Sequence, residues 1–416
     1  MSIDMIKTKW ISIIVMLFMG LTSTVIGAEG DILWQTGNLG ESLEAGPAVD
    51  SKSNVYMLTE TGLRSYTTTG TLRWLTPVST GISHNAAVSV SLSSDETVVF
   101  GCGTESVWAV KASTGVPIWV NRTLKHFFTV PCVSKDNSRI YVGNGDVHNT
   151  VGTLYCLDAS NGNVHWSRDL NGGLMGGAVL TDSGTIIIPS EGQNEEKGTL
   201  YSITDNGSSS TINWTYDLLG ESRLPPTIDS AGHIYIATGK GIVHKVDPTA
   251  GTSIWKAECP GGCKEIFAAM ALSGDESTIY VNAENYKLNA FNTSDGSLKW
   301  DIEFEHWGSD PLVRDDGVII VASQIKGTAR VAAIQDNGSS ASILWTSPSI
   351  SHTLHLNETN VNIAPNGTIY IHAGDWVPLA LTAIEGNGKG LNTSSNWPKV
   401  MGNIQNNGNS NNSTPP

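Results

Sequence analysis

Ala109-Val110-Lys111-Ala112-Ser113-Thr114-Gly115-Val116-Pro117-Ile118-Trp119 decides how this chain is read. It holds an apolar strand, a tight turn and a second strand that carries a tryptophan. Gly115 suits the turn because the favoured short hairpin connections need positive φ. The glycine-to-tryptophan step of four residues recurs at Gly30/Trp34, Gly70/Trp74, Gly162/Trp166, Gly251/Trp255 and Gly296/Trp300. With Trp214, Trp345 and Trp397 the tryptophans form a series whose successive gaps run from 40 to 52 residues. A fixed period of that length marks a repeat architecture.

A second signal lies inside each interval. Short β-branched or aromatic triplets occur once per unit: Val55-Tyr56-Met57, Val98-Val99-Phe100, Ile140-Tyr141-Val142, Ile186-Ile187-Ile188, Ile234-Tyr235-Ile236, Ile279-Tyr280-Val281, Ile319-Ile320-Val321 and Ile369-Tyr370-Ile371. Most follow turn residues such as Asp182-Ser183-Gly184, as expected of a strand entered from a tight turn. An apolar strand precedes each triplet (Pro47-Ala48-Val49, Pro226-Thr227-Ile228) and a third strand follows it (Leu154-Tyr155-Cys156-Leu157). The glycine hairpin and the tryptophan strand complete the unit. In two units Asp205-Asn206-Gly207-Ser208-Ser209 and Asp336-Asn337-Gly338-Ser339-Ser340 replace that hairpin.

Four short strands per unit, eight times over, predict an all-β, eight-bladed propeller of four-stranded antiparallel blades. One tryptophan per blade, Trp34, Trp74, Trp119, Trp166, Trp214, Trp255, Trp300 and Trp345, serves as the wedge between neighbouring sheets, its N–H seeking a carbonyl. Gly30-Asp31-Ile32-Leu33-Trp34 is an orphan fourth strand able to complete the last blade and close the ring. Trp397 competes for that place, and its lack of a glycine at minus four favours Trp34. The propeller is expected over residues 29–400, with a disordered Asn/Gly/Ser/Pro-rich tail over 401–416.

Residues 1–28 read as an export signal. Lys7 and Lys9 precede an apolar run from Trp10 to Leu21, then small residues lead to Gly27 and Ala28. The run is short of the roughly 20 residues a membrane-spanning helix needs. The mature chain is therefore expected to be secreted or periplasmic, soluble, monomeric and without a membrane span. Five cysteines leave at least one free thiol, and Cys259-Pro-Gly-Gly-Cys263 is spaced to close a short disulfide loop. No further Cys or His pair stands at zinc-site spacing, so no metal site is expected. Thirty-nine Asp+Glu against 24 Lys+Arg give a net charge of −15, which argues against nucleic acid as a partner.

The segment ending in Trp119, and Cys156-Leu157-Asp158-Ala159-Ser160-Asn161-Gly162-Asn163-Val164-His165-Trp166, resemble the tryptophan-docking motif of the pyrroloquinoline-quinone (PQQ) repeat propellers. Val246-Asp247-Pro248-Thr249-Ala250-Gly251 before Trp255 is a looser copy. Trp397-Pro398-Lys399-Val400-Met401-Gly402-Asn403 with Gln405-Asn406-Asn407-Gly408 also looks like a terminal segment of such proteins. The resemblance covers nearly the whole mature chain and implies one of two roles. Quinoprotein alcohol dehydrogenases oxidise alcohols or sugars with PQQ and calcium in the channel, typically beside an adjacent Cys-Cys disulfide, and this chain has no such pair. The branch of the barrel-assembly lipoprotein BamB binds proteins without cofactor. This chain resembles that branch in size and blade count but lacks its lipidation cysteine.

The loops between each tryptophan strand and the next inner strand reach one mouth of the channel. They carry His84, His126, Glu221, Arg223, Glu265, His306, Trp307, His352 and His355, a candidate binding rim. No catalytic residue is assigned, because no pair within one loop has nucleophile–base spacing. The expectation is an exported, non-catalytic scaffold for an envelope protein or glycan, with no cofactor. A PQQ-dependent oxidoreductase is the alternative, and a carbohydrate-active propeller the third reading.

Overall fold

The computed structural model describes residues 27–410 except 38, 40–45, 60, 79–89, 104, 125, 128, 146–149, 193–196, 262, 264, 265, 267, 307, 351–360 and 374–379. The expected signal segment, residues 1–26, lies outside the described residues. Eight separate four-stranded antiparallel sheets account for every strand. In the first blade Ala48–Val49, Val55–Thr59, Gly62–Tyr66 and Leu72–Thr76 run in order, strands A to D from the axis outward. Blades two to seven repeat this over residues 91–121, 132–171, 179–217, 227–258, 271–303 and 312–346.

Burial follows position in the blade. Val55–Thr59, sandwiched between neighbouring sheets, is buried at every residue, whereas the outer Leu72–Thr76 exposes Leu72 and Leu75. The continuous β-branched triplets are thus middle strands with no solvent face, which is why they do not alternate. Tyrosines in these triplets meet their own blade's tryptophan, as Tyr56 meets Trp74 and Tyr280 meets Trp300, with ring centroids 5.9 and 5.8 Å apart.

Seven of the eight docking tryptophans are pinned to the following blade by an indole hydrogen bond. The indole N–H of Trp34 donates to Thr68 O (2.7 Å), Trp74 to Ala112 O (3.1 Å), Trp119 to Ala159 O (2.8 Å), Trp214 to Pro248 O (2.9 Å) and Trp255 to Thr293 O (2.9 Å). The glycine at minus four does not support its own tryptophan. A side chain at Gly115 would lie 2.5 Å from the Trp74 ring, and one at Gly162 2.5 Å from Trp119. Where glycine gives way to Asp-Asn-Gly-Ser-Ser, the carboxylate takes over: Trp166 donates to Asp205 and Trp300 to Asp336, both at 2.9 Å.

Every C–D pairing carries a register shift just before the tryptophan, as between Ser65 and Tyr66 or Ala109 and Val110. One extra residue in the outer strand, Arg73 in the first blade, turns the strand locally and aims the indole sideways at the next blade. Sequence spacing does not reveal this bulge.

The eighth blade is assembled from both ends of the chain. Val361–Ile363, Ile369–Ala373 and Ala380–Ile384 are completed by Ile32–Gln35, so Trp34 and not Trp397 closes the ring. Gly30 then forms the turn that receives Trp345, completing the circuit. Arg314 latches this split hairpin. Its buried guanidinium binds Glu29 from the N-terminal piece, Gly386 O (3.1 Å) from the C-terminal piece, and Asp316 (2.7 Å). Among the described residues no helix is long and apolar enough to cross a membrane.

The docking geometry yields a paired prediction. Gly115 and Gly338 both sit at positive φ (71° and 88°), but only Gly115 faces a ring, and nothing lies within 4 Å of a side chain at Gly338. Gly338→Ala is expected to cost about 1–2 kcal/mol from backbone strain. Gly115→Ala adds roughly 1–3 kcal/mol of overpacking. Equal urea midpoints for the two variants would refute the assignment of Gly115 to Trp74.

Candidate functional site

Strand polarity places the A–B and C–D turns at one mouth of the channel, and the B–C and D–A loops at the other. The ring closure has a direct effect at the first mouth. Because the last D strand comes from the N-terminus, the chain leaving Ile384 is released there with no fourth strand to form. It turns inward. Residues 401–410, expected from composition to be disordered, are ordered and largely buried across the mouth. The composition is that of a segment with no core of its own, and the blades supply its partners.

Those partners come from all around the ring. Inner-strand N–H groups donate to the carbonyls of this segment: Leu272 to Trp397 (2.9 Å), Val313 to Pro398 (2.8 Å), Val49 to Ile404 (2.9 Å), Leu92 to Gln405 (2.9 Å), Val133 to Asn407 (2.9 Å) and Leu180 to Gly408 (2.8 Å). The remaining two blades are joined through side-chain amides, one from a blade and one from the segment. Asn362 Nδ2 donates to Ile404 O (2.9 Å), and Asn396 Nδ2 to Ile228 O (3.4 Å). Asparagine suits this task because one short side chain carries both donors and an acceptor. Asn403 donates to Asn407 Oδ1 (2.8 Å), Asn406 to Pro47 O (3.3 Å) and Asn409 to Val133 O (2.8 Å).

Lys399 is the one lysine of the plug and is 1 % exposed. Its ammonium donates to Val400 O (2.7 Å), Asn403 O (3.2 Å) and Asn406 Oδ1 (2.6 Å). Burial pushes its pKa down to about 7, with the Asp310 carboxylate opposing the fall. Asp310 stands just ahead of the seventh inner strand and accepts the Ala269 N–H at 2.5 Å. Burial pushes its pKa up to about 7 against the effects of that N–H and of Lys399. Outside the plug, Asp315, Lys389, Leu391, Thr393, Asn403 and Gln405 help line a cavity of about 500 Å³.

At the other mouth the described rim residues do not form one cluster. Between blades four and five, Arg223 Nε donates to the buried Glu191 at 2.5 Å. Glu221 is buried nearby, its carboxylate occupying the space a side chain at Gly239 would need. His306 lies elsewhere, stacked on Tyr286 with ring centroids 5.5 Å apart. His126 is exposed on a third segment. His84, Glu265, Trp307, His352 and His355 lie outside the described residues. Glu191 and Asp310 were not singled out from the sequence, and Lys399 appeared there only within the terminal segment 397–403, with no role assigned. Cys259 and Cys263 are free, buried thiols bonded to each other rather than a disulfide. The S–H of Cys259 holds the Cys263 thiol below its ordinary range.

The first mouth is filled by the chain itself, and the docking indoles are engaged between blades. Among the described residues no three His, Cys, Asp or Glu side chains converge as a metal site.

Comparison with known proteins agrees with the fold. Residues 23–130, 105–259, 196–303 and 239–395 each match the family model described as outer membrane protein assembly factor BamB. The chain is similar to the crystal structure of BamB from Moraxella catarrhalis, with a TM-score of 0.61 and 15 % identity over 85 % of this chain and 99 % of that one. It is also similar to quinohemoprotein alcohol dehydrogenase from Comamonas testosteroni, with a TM-score of 0.66 and 12 % identity over 87 % and 77 %. An 80-residue stretch is 34 % identical to Protein Rv3035 of Mycobacterium tuberculosis, covering 19 % of each chain. Under a fifth of that relative's length is therefore matched.

The axial pair predicts a pH profile. Asp310 keeps its proton in the folded chain up to about pH 7 and loses it in the unfolded chain near 4, so stability falls as pH rises between these values. Lys399 is neutral in the folded chain above about pH 7 and protonated in the unfolded chain to about 10, so stability rises again over that window. Urea midpoints should pass through a dip near neutrality. Asp310→Asn should flatten the acid limb and Lys399→Met the alkaline one. Profiles parallel to wild type in both variants would show that the pair does not carry the dip.

Proposed function

The chain belongs to the outer membrane protein assembly factor BamB family, and from that premise we propose that it is an exported, non-catalytic propeller that scaffolds envelope proteins. The observation that carries this reading is the asymmetry of the channel. One mouth is filled by the chain's own C-terminal segment, which leaves the D–A loops at the other mouth as the surface for partners. On the described part of that surface, the Glu191–Arg223 ion pair ties the B–C loop of blade four to the loop that leads into blade five. Loops held in this way present contacts at low ordering cost, as a scaffold requires.

His306 and Trp307 are the assigned contact residues, an aromatic beside an imidazole on one D–A loop. Replacing both with alanine should weaken capture of exported partners about tenfold, the loss of one modest anchor, without moving the thermal midpoint. Unchanged capture removes the rim from the proposal. The dehydrogenase alternative is separated by mixing the full chain with PQQ and calcium, desalting, and assaying dye reduction on alcohols and sugars. Retained quinone with turnover would overturn the scaffold reading.

We also infer that Cys259 and Cys263, already in contact, become a disulfide after export by thiol–disulfide exchange with an oxidised dithiol partner of that compartment, which is reduced to its dithiol as the two electrons and two protons pass to it. Alkylation of the denatured exported protein should then label three of its five cysteines, and all five only after reduction. Labelling of all five without reduction would refute it.

A further inference from the structure

Residues 396–410 contain no strand or helix of their own, and their composition is that of a disordered chain. Their conformation comes from docking. Main-chain carbonyls are matched to inner-strand N–H groups, and side chains are matched individually. Two carboxylates clamp the segment from opposite sides of the ring. Glu96, on the A–B turn of blade two, accepts Gln405 Nε2 (2.9 Å) while also holding Ser51 N and Oγ (2.7 and 2.6 Å). Glu276, four blades on, accepts Asn396 N (2.8 Å) while holding Ser230 N and Oγ (2.8 and 2.6 Å). Both glutamates sit in left-handed backbone, at φ 58° and 56°, a conformation that bulky residues seldom adopt. Lys399 is bound in the buried centre by three oxygens of the segment itself, Val400 O, Asn403 O and Asn406 Oδ1, while Asn406 and Asn409 reach the ring at Pro47 O and Val133 O.

Main-chain pairing for affinity with side-chain sockets for selectivity is how folded domains bind extended peptides. We propose that the A–B mouth is a peptide-recognition site, and that residues 396–410, an asparagine-rich segment with one buried lysine, are its ligand held in cis. This concerns the opposite mouth from the one assigned to partner proteins and stands independently of that assignment. The tether gives the segment a high effective concentration, so the site is filled while the chain is intact.

The test uses the full chain with a protease recognition sequence inserted between Asn387 and Gly388, in an exposed turn ahead of the plug. After cleavage of the folded protein, the released segment should co-elute with the propeller. A fluorescein-labelled synthetic peptide of residues 391–416 should then exchange into the cut protein and not into the uncut one. The same peptide carrying Lys399→Met or Asn406→Ala should compete at least about tenfold less well, as expected for loss of a hydrogen-bonded buried group. Four results would overturn the proposal. They are loss of the segment without rebinding while the propeller keeps its circular dichroism, unfolding of the propeller on cleavage, equal peptide binding before cleavage, and an uncut protein whose mass is that of a dimer exchanging segments.

Discussion

An indole edge set against a turn that has no side chain is the contact on which this molecule depends. A four-stranded sheet with two apolar faces is not stable alone, and in a ring each face must meet a neighbour. The tryptophan of one blade bridges to the next by laying its ring on the glycine of the C–D turn and donating its N–H to a carbonyl beside it. Large apolar area and one fixed hydrogen bond together set distance and orientation between blades. The bulge before each tryptophan makes the sideways aim possible, and glycine, which tolerates the positive φ of the turn, has no Cβ to block the ring.

Ring closure determines the two mouths. Because the N-terminal strand completes the last blade, the C-terminal chain is freed at the A–B mouth and is available to fill it. The two events are coupled through Arg314, whose guanidinium joins Glu29, Gly386 and Asp316 beside the point where the plug begins. A closed ring has no free end, so a propeller that recruits its N-terminus for closure has its C-terminus left over. Here the leftover segment is long enough to cross the channel and polar enough to satisfy the inner-strand N–H groups it covers.

The buried Asp310 and Lys399 sit where plug and blades meet. Such a pair is poor value for stability when compared with an apolar core, because both charges lose solvent. Its contribution is positional. A lysine caged by three oxygens accepts one placement of the surrounding Asn403 and Asn406, and an apolar side chain there would tolerate several. The mouth is thereby closed by a segment in one register.

The sequence by itself determined the class of fold, the number of blades and the order of strands within each, and it favoured Trp34 over Trp397 for closing the ring, which the structure decided. Each of these is written in local spacing: a glycine four residues before a tryptophan, a β-branched triplet after a turn, an orphan strand at the start. What the tertiary structure decided is which groups meet. Gly115 reads as the partner of Trp119 and is instead the seat of Trp74, because the docking turn serves the preceding blade. Asn403, Asn406, Asn407 and Asn409 read as a disordered tail and are instead buried, because their partners lie on inner strands up to hundreds of residues away. Of the rim residues, His126, Arg223 and His306 lie on three separate D–A loops. Periodicity records how a chain folds against itself nearby. The contacts that fill the channel arise only once eight blades have been brought around a common axis.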